Sequence, residues 1–554
     1  MLNMTSHLIA TILVFSIATL FFIFNKTKFN FCDLFALLFL LFFNLSFYFT
    51  TVPYGFKEFS TFNAGIITYI LARNLDFKIN FKSKRLFYFF NLAAGAFVIY
   101  GIYDLLSGPL DRFASVFKGD ESYTSYPNAA ADLILLFIFP LLATSVKNKK
   151  WIPITIVVLI GFWLTLSRGA FIAFVAGILL LLFYQKKLKQ NLKSFVIICL
   201  SVIFAIGVYR FDDNSISLQG RFLGGDISAM QSLDERPLLF KGALDIIKDN
   251  YLFGIGPGGF SDVNPRYQEN FFVNSEHPHN IFLKLASESG IFTMIFFSFF
   301  IFSVIFEAFK TSKNRYILIG VIAVLLHSLI DYNLNFVYIY LLFFGQLGYL
   351  SKDAKLKNIN FARPVLISIT VIFLFISILE FRGYYILKTN PTTQNLLELR
   401  HWYNLPIKQI YFQQILENKN YIPFSPYALE FQSRYSNHFP INMLLYHLGT
   451  PKYIHPALKL EKNNPEALLY YIKIYKSPKD VAELTSVLAT YNSLLKVNSH
   501  NMVATLNPQT FLAIYDELLK LTPDPKVTTK LLDLKNEFTE TYNLEKRKFN
   551  CRFK

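Results

Sequence analysis

The chain has 554 residues, of which 53% are hydrophobic, and phenylalanine alone accounts for 62. A water-soluble protein could not bury that much apolar side chain, and the mean hydropathy is positive at +0.37, so we expect a polytopic membrane protein. The net charge of +17 comes from short basic clusters between apolar runs, which argues against nucleic acid as a partner. The first apolar run has no basic segment before it and no small-residue cleavage site, so we expect no cleaved signal peptide. Three cysteines predict neither a disulfide framework nor a cysteine-based metal site.

Apolar runs of roughly membrane-spanning length predict an all-α fold with about twelve transmembrane helices in residues 1–380. The run at 59–74 is weak, and several others are short for a hydrocarbon core of about 30 Å. The runs lie near residues 7–24, 31–50, 59–74, 86–105, 128–145, 152–167, 169–184, 193–209, 290–308, 316–331, 335–350 and 364–380.

The connections between these runs alternate in charge. Six of them carry clusters of Lys and Arg, and the connections between those six carry none. The positive-inside rule places the basic connections in the cytoplasm, so the others face the periplasm or the cell exterior. The longest of these outer connections, residues 210–278, is net acidic.

The same alternation places the tail, residues 381–554, outside as well. The tail is more polar and has no spanning run, which predicts a periplasmic helical accessory domain. Its helix pairs resemble tetratricopeptide-type repeats, although no clean repeat period is visible. One helix is predicted to have Asn464 as its N-cap and Pro465 at its first position.

An arginine, Arg168, interrupts the apolar stretch 152–184 in the segment LSRG. Basic clusters flank both ends of this stretch, so the chain must cross the membrane twice and turn at Ser167–Gly169, at the outer interface. An arginine there is either functional or an interfacial side chain that reaches water. The glycine-rich segment 253–260 is not a P-loop, because no Gly-Lys-Ser/Thr follows it, and we interpret it as a flexible turn.

Two histidines, His277 and His279, stand at the end of the outer connection in the sequence EHPHN. A metal site would need further ligands, and Glu276 is the only obvious one nearby, so we expect no metal here. In the first turn of a helix that runs through Leu285, His279 would instead be kept neutral by the local positive potential, as a general base requires. A histidine that only forms a hydrogen bond at the interface is the third interpretation.

Several segments resemble, in the right order, signatures of the O-antigen ligase and polymerase superfamily. His279-Asn280, nine residues and then Gly290 resemble the pattern H-N-x9-G-x-x-G-G, with Thr293-Met294 in place of the final Gly-Gly. LSRGAF resembles the membrane arginine motif, DERPLLFKGALDIIKDNYLFGIGPGGF resembles the family's arginine-to-glycine loop, and HSLIDYNL lies at the next outer turn. Together these segments cover roughly residues 150–350.

The resemblance implies a GT-C-like integral-membrane glycosyltransferase that works without metal or other cofactor. Such an enzyme moves a glycan from an undecaprenyl-diphosphate carrier to an acceptor on the periplasmic side, by an inverting in-line displacement. It uses a donor that carries its own activation, which fits a site where no nucleotide is available.

The resemblance also implies roles for individual residues. His279 matches the histidine that activates the acceptor hydroxyl as a base. The residues expected to support it are Asn280, Glu276 and Asp331. The arginines expected to bind the diphosphate, for which a guanidinium fork is well suited, are Arg168, Arg236 and Arg221. His277 lies outside the match, so its truncation is expected to leave most of the activity.

Three acceptors remain open, with the ligase-like one preferred. A ligase acts on lipid A-core, a polymerase on a growing glycan, and a protein O-oligosaccharyltransferase on Ser or Thr of a protein such as a pilin. The helical tail resembles the extra domains of protein O-oligosaccharyltransferases and of some ligase-like proteins. A secondary transporter would show two matched halves and charges near the midplane, whereas this chain has no visible internal repeat and carries its charges at the outer interface.

Overall fold

The structure is a computed structural model of the chain. It describes residues 4–25, 27–49, 56–75, 84–107, 112–117, 126–184, 188–210, 227–267, 275–311, 315–331, 333–352, 357–358, 362–399, 415, 422–434, 438–460, 464–475, 481, 484–486, 488–489, 492–493, 495, 507–522 and 524–552. Within this part, one pair of short strands forms, β1 (Lys28–Phe29) with β2 (Lys357–Asn358), and it is antiparallel. The rest of the regular structure is helical.

Fifteen α-helices precede residue 390 in the described part of the chain. In order, they are α1 (Met4–Phe24), α2 (Phe31–Tyr48), α3 (Phe56–Asn74), α4 (Lys84–Ser107), α5 (Pro127–Lys147), α6 (Ile152–Leu164), α7 (Arg168–Tyr184), α8 (Leu188–Arg210), α9 (Ile227–Asp249), α10 (Phe260–Val263), α11 (Ile281–Ser289), α12 (Ile291–Thr311), α13 (Arg315–His327), α14 (Val337–Leu350) and α15 (Ala362–Thr389).

All of these helices except α9, α10 and α11 coincide with the predicted apolar runs. By length and composition, α1, α2, α5, α8, α12 and α15 can each cross a membrane. Helices α7, α13 and α14, and residues 92–107 of α4, are shorter apolar segments. The chain is therefore an all-α polytopic membrane protein, as its sequence predicted.

Helix α3 shows why its apolar run is weak. Every residue from 58 to 67 is buried among other helices rather than exposed on the outside of the bundle. Its polar side chains are paired inside the protein: Ser60 Oγ lies 2.6 Å from His7 Nε2, and the amides of Asn63 and Asn44 bond each other at 3.0 Å. A helix that is enclosed by protein does not need an apolar surface, because its polar groups find partners there.

The basic connections of the sequence meet at one end of the bundle, which we call the basic end. Lys352, after α14, donates from Nζ to the carbonyl oxygen of Leu75, after α3, at 2.9 Å. Arg315, before α13, lies over the ring of Tyr184, the last residue of α7. These contacts agree with the predicted alternation, since connections of one charge type share one end.

The predicted outer connection contains helices of its own. In α9, the apolar residues recur at helical spacing and pack on the segment that follows it. This small core consists of Leu239, Ala243, Ile246, Ile255, Phe260 and Val263. The connection is therefore a folded unit, and it packs on α11.

The tail is helical in its described part and touches the outer connection. Its helices are α16 (Thr393–Glu398), α17 (Ser425–Arg434), α18 (Phe439–His447), α19 (Ile454–Leu460), α20 (Pro465–Tyr475), α21 (Pro508–Leu521) and α22 (Pro525–Arg552). The predicted cap of α20 is confirmed, because Asn464 Oδ1 accepts from the backbone of Glu466 and of Ala467 at 3.1 Å each. Helix α19 contacts residues 264–267, so the tail lies at the end opposite the basic end.

Candidate active site

His279 occupies a strained position directly before α11. Its φ is +52°, in the left-handed region that residues other than glycine rarely adopt. Helix α11 begins at Ile281, and Asn280 is its N-cap, accepting at Oδ1 from the backbone of Phe282 and Leu283 at 2.9 and 3.0 Å. His279 therefore precedes the cap. The prediction that it lies in the first turn, with its ring kept neutral by the helix terminus, was wrong about this position.

The nearest partner of His279 is a carboxylate from a distant part of the chain. Asp331 follows α13 and is buried, and its Oδ1 lies 3.4 Å from His279 Nδ1. Its Oδ2 lies 3.5 Å from Arg236 Nη2 and accepts from Asn128 Nδ2 at 2.5 Å. Side chains from α9, from the segment before α11 and from the start of α5 thus converge on one carboxylate. We call Asn128, Arg236, His279 and Asp331 the Asp331 cluster.

Electrostatics keep Asp331 ionised. Burial alone would raise the pKa of its carboxyl, but the hydrogen bond and charge of His279, together with His327 and Arg236, hold it well below its usual range. In the neutral form of an imidazole, a carboxylate that accepts from Nδ1–H selects the tautomer whose acceptor lone pair is on Nε2. A carboxylate–imidazole pair of this kind can orient a general base, and its separation of 3.4 Å is long, as is common without substrate.

Two backbone contacts hold the Asp331 turn against the start of α11. Asn280 Nδ2 donates to the carbonyl oxygen of Leu329 at 2.8 Å, and the Ile281 N–H donates to that of Ser328 at 3.0 Å. The Asn280 side chain therefore caps α11 through Oδ1 and, through Nδ2, anchors the helix to the segment that carries Asp331. Asn280 thus follows His279 in the sequence because it fixes the backbone beside the histidine.

Arg168 is the first residue of α7 and is half-buried. The predicted break between two helices is confirmed, although the turn is two residues earlier than expected: α6 ends at Leu164 and Arg168 is already helical. The next residue, Gly169, packs on the ring of His327, where a Cβ would lie 2.8 Å from Cδ2 and Nε2. A glycine there lets α7 approach the helix that leads to Asp331.

Behind Asp331 lies a second, fully buried pair. His327 Nδ1 is 2.7 Å from Asp132 Oδ1, between α13 and α5. Arg112 lies on the other flank, where it donates to the Thr165 carbonyl at 2.9 Å and to Asn128 Oδ1 at 3.4 Å. None of Arg112, Asn128, Asp132 or His327 was predicted as a site residue from the sequence. Asp132 gave a usable signal, because a carboxylate inside an apolar run is costly unless it has a partner or a function.

The glycine-rich segment is a tightly packed turn that lies against the C-terminal end of α11. Gly254, with φ +68°, has no room for a side chain, since a Cβ would lie 2.3 Å from the Glu288 carbonyl carbon. Gly290, with φ +88°, is equally confined by the Leu252 carbonyl oxygen, 2.0 Å from a built Cβ. The expectation of a turn is confirmed, and Gly254 and Gly290 allow the close backbone approach there.

The remaining predicted residues lie elsewhere. Glu276 is exposed, and its carboxylate lies 3.7 Å from His277 Nε2 rather than beside His279. His277 is buried, with Nδ1 2.8 Å from Lys284 Nζ, so the two histidines have different surroundings. Arg221 lies outside the described residues. Among the described residues, no three His, Cys, Asp or Glu side chains form a group that could hold a metal ion.

Comparison with known proteins adds one finding to this geometry. Residues 153–298 match the family model described as O-antigen ligase. The match starts in α6, contains the LSRG turn, α9, the glycine-rich turn and His279, and ends in α12. No curated protein matches the chain.

Proposed function

Because residues 153–298 form a domain of the O-antigen ligase superfamily, we propose that this membrane glycosyltransferase moves a glycan from an undecaprenyl-diphosphate carrier to an acceptor hydroxyl on the periplasmic side. The observation that carries the proposal is the Asp331 cluster. It joins a histidine and an arginine, residues suited to a base and to a diphosphate ligand, through one buried carboxylate. Both belong to the sets expected from the sequence.

In this proposal the acceptor hydroxyl gives its proton to Nε2 of His279, while Asp331 holds the ring through Nδ1. The oxygen attacks the anomeric carbon from the face opposite the carrier, and the bond from that carbon to the diphosphate oxygen breaks. The products are the inverted glycoside and undecaprenyl diphosphate. No nucleotide, metal or redox partner is needed to balance the step.

The leaving diphosphate needs cations, and the site supplies arginines for it. Arg236 is only 19% exposed, and its Nε has no hydrogen-bond partner among the described residues. An unsatisfied buried guanidinium N–H is costly, and a phosphate oxygen would satisfy it. Arg168 at the start of α7 is the second proposed ligand, and Arg221 the third.

The proposed orientation makes a prediction about labelling. In a variant without native cysteines, Tyr251→Cys should react with a membrane-impermeant thiol reagent in intact spheroplasts, whereas Lys149→Cys should not. Both positions are exposed, so the membrane alone should decide the difference. Disrupting the membrane should make Lys149→Cys reactive, and labelling of Lys149→Cys alone in intact cells would invert the orientation.

For the acceptor of the transferred glycan, we propose lipid A-core as the first candidate. A protein acceptor is the second candidate, because the helical tail contacts residues 264–267 of the outer connection and so extends the surface beside the site. A deletion strain should be examined for its lipopolysaccharide ladder and for pilin mass together. We expect loss of the O-antigen ladder with unchanged pilin mass, whereas a lower pilin mass with an intact ladder would establish protein glycosylation instead. An unchanged result in both, with a growing undecaprenyl-linked pool, would indicate another glycan acceptor.

A further inference from the structure

Lys284 is a buried cation close to the proposed base, although it lies outside the Asp331 cluster. It belongs to α11, one turn after the Asn280 cap, and its side chain is 2% exposed. Its Nζ lies 3.0 Å from Glu288 Oε2, 3.6 Å from Glu58 Oε1 and 2.8 Å from His277 Nδ1. A buried ammonium is tolerated only when it is paired and hydrogen-bonded; here His277 and Glu288 accept hydrogen bonds from it, and Glu58 adds a second opposite charge.

These contacts connect four separate parts of the fold. Glu58 belongs to the enclosed helix α3, Glu288 to the last turn of α11, and His277 to the segment that precedes His279. Glu288 also accepts from the Gly258 N–H at 2.9 Å, which adds the glycine-rich turn. We call Glu58, His277, Lys284 and Glu288 the Lys284 cluster.

The two carboxylates of the cluster are in turn stabilised by the ammonium of Lys284. Burial raises the pKa of Glu288, Glu58 raises it further, and the ammonium of Lys284 opposes both. Removing Lys284 would leave two buried carboxyls without the cation between them, which penalises the arrangement that brings α3 and α11 together. The cluster therefore fixes α11 on the membrane domain through charge, in addition to apolar packing.

The Lys284 cluster bears on the base through His277. Only Pro278 separates His277 from His279, and His279 is held at a φ of +52° that its own side chain does not favour. On the other side, Asn280 is anchored to Leu329. The strained residue is thus fixed from both sides, and such strain persists only when the surroundings enforce it.

We propose that Lys284 is a positioning residue for glycan transfer, acting through His277 to hold the His279 turn in place. This inference rests on the proposed function, in which His279 is the base. It changes the expectation for His277, whose truncation removes a partner from a buried ammonium and is no longer expected to be harmless.

A matched pair of variants tests this. His277→Asn keeps a hydrogen-bond acceptor where Nδ1 stands, whereas His277→Leu has similar bulk and no acceptor. In purified full-length protein, we expect His277→Leu to lower kcat on the order of tenfold, with the donor KM changed less than about twofold, because misplacement affects the reacting geometry more than donor binding. His277→Asn should retain most of the wild-type kcat. Lys284→Met should behave as His277→Leu does.

Hydrogen exchange supplies a readout that does not depend on activity. The amides of Phe282 and Leu283 bond to the Asn280 cap, so exchange across residues 275–285 reports whether the turn is held. We expect faster exchange in His277→Leu and wild-type exchange in His277→Asn.

Equal kcat in wild type, His277→Leu and Lys284→Met would overturn the proposal, as would equal losses in His277→Leu and His277→Asn. If the wild type itself transfers no glycan, the proposed function fails, and unchanged exchange in His277→Leu then overturns the anchoring as well. Faster exchange reversed by asparagine supports the anchoring in either case.

Discussion

Replacing His279 is expected to abolish glycan transfer while leaving the protein inserted and able to bind donor lipid. Loss of a general base typically costs about 10²–10⁴ in rate. His279→Ala removes the imidazole but puts alanine at a φ of +52°, where it is strained. His279→Asn is the better variant, since asparagine tolerates the left-handed region and cannot serve as the base. Both should lower kcat by that factor in a transfer assay with a lipid-linked donor.

The control is a histidine far from the site. His455 is exposed on the tail helix α19, and His455→Ala should transfer at the wild-type rate. A chelator should leave the wild type unchanged, because no step of the proposed mechanism uses a metal. If His279→Asn keeps more than about a tenth of the wild-type rate at normal membrane levels, His279 is not the base. Chelator sensitivity, with equal losses in His277→Asn and His279→Asn, would point to a metal site at the two histidines.

Most of the membrane architecture follows from local features of the sequence. A run of apolar residues must be helical in lipid, and the charges on its flanks determine which end it shares with its neighbours. The weak run at 59–74 became a buried helix because Ser60 and Asn63 are paired with α1 and α2. That pairing depends on tertiary neighbours, so hydropathy alone gave too weak a signal for it. The helix in the outer connection has a local signal in the sequence, the helical spacing of Leu239, Ala243 and Ile246.

The site was predictable only in part. Arg236, His279 and Asp331 were named from their motifs, and the structure brings these three together. The cap was predictable as well, since asparagine before Ile-Phe-Leu is a preferred N-cap, and this places His279 outside the helix. Asn128 could not be found in this way, because it meets Asp331 from 203 positions away and no local pattern encodes that contact. The same applies to His277 and Lys284. Their local sequence indicates a loop residue and an exposed helix residue, and only the packing of α3 against α11 shows that they are buried.

Arg236 provides the second large expected effect, and the carboxylate beside it makes the test decisive. Arg236→Lys keeps the charge but loses the planar fork, and Arg236→Ala loses both, so transfer should fall in that order. One charge-assisted contact is worth about 1.5–3 kcal/mol, so we expect a loss of about 10- to 100-fold in kcat/KM for the donor in the alanine variant. Lys241→Ala, at an exposed position of the same helix, is the matched control and should not change it.

The ion pair with Asp331 offers a different explanation for such a loss, namely that Arg236 merely neutralises a buried carboxylate. The double variant Arg236→Ala/Asp331→Asn separates the two roles, because it removes the arginine together with the charge that it would neutralise. If Arg236 binds the diphosphate, the double variant should regain folding stability relative to Arg236→Ala, yet its donor KM should stay high. Recovery of donor KM to the value of Asp331→Asn alone would show that the arginine serves the carboxylate and not the substrate. The diphosphate would then have to be bound by Arg168 and by cations outside the Asp331 cluster.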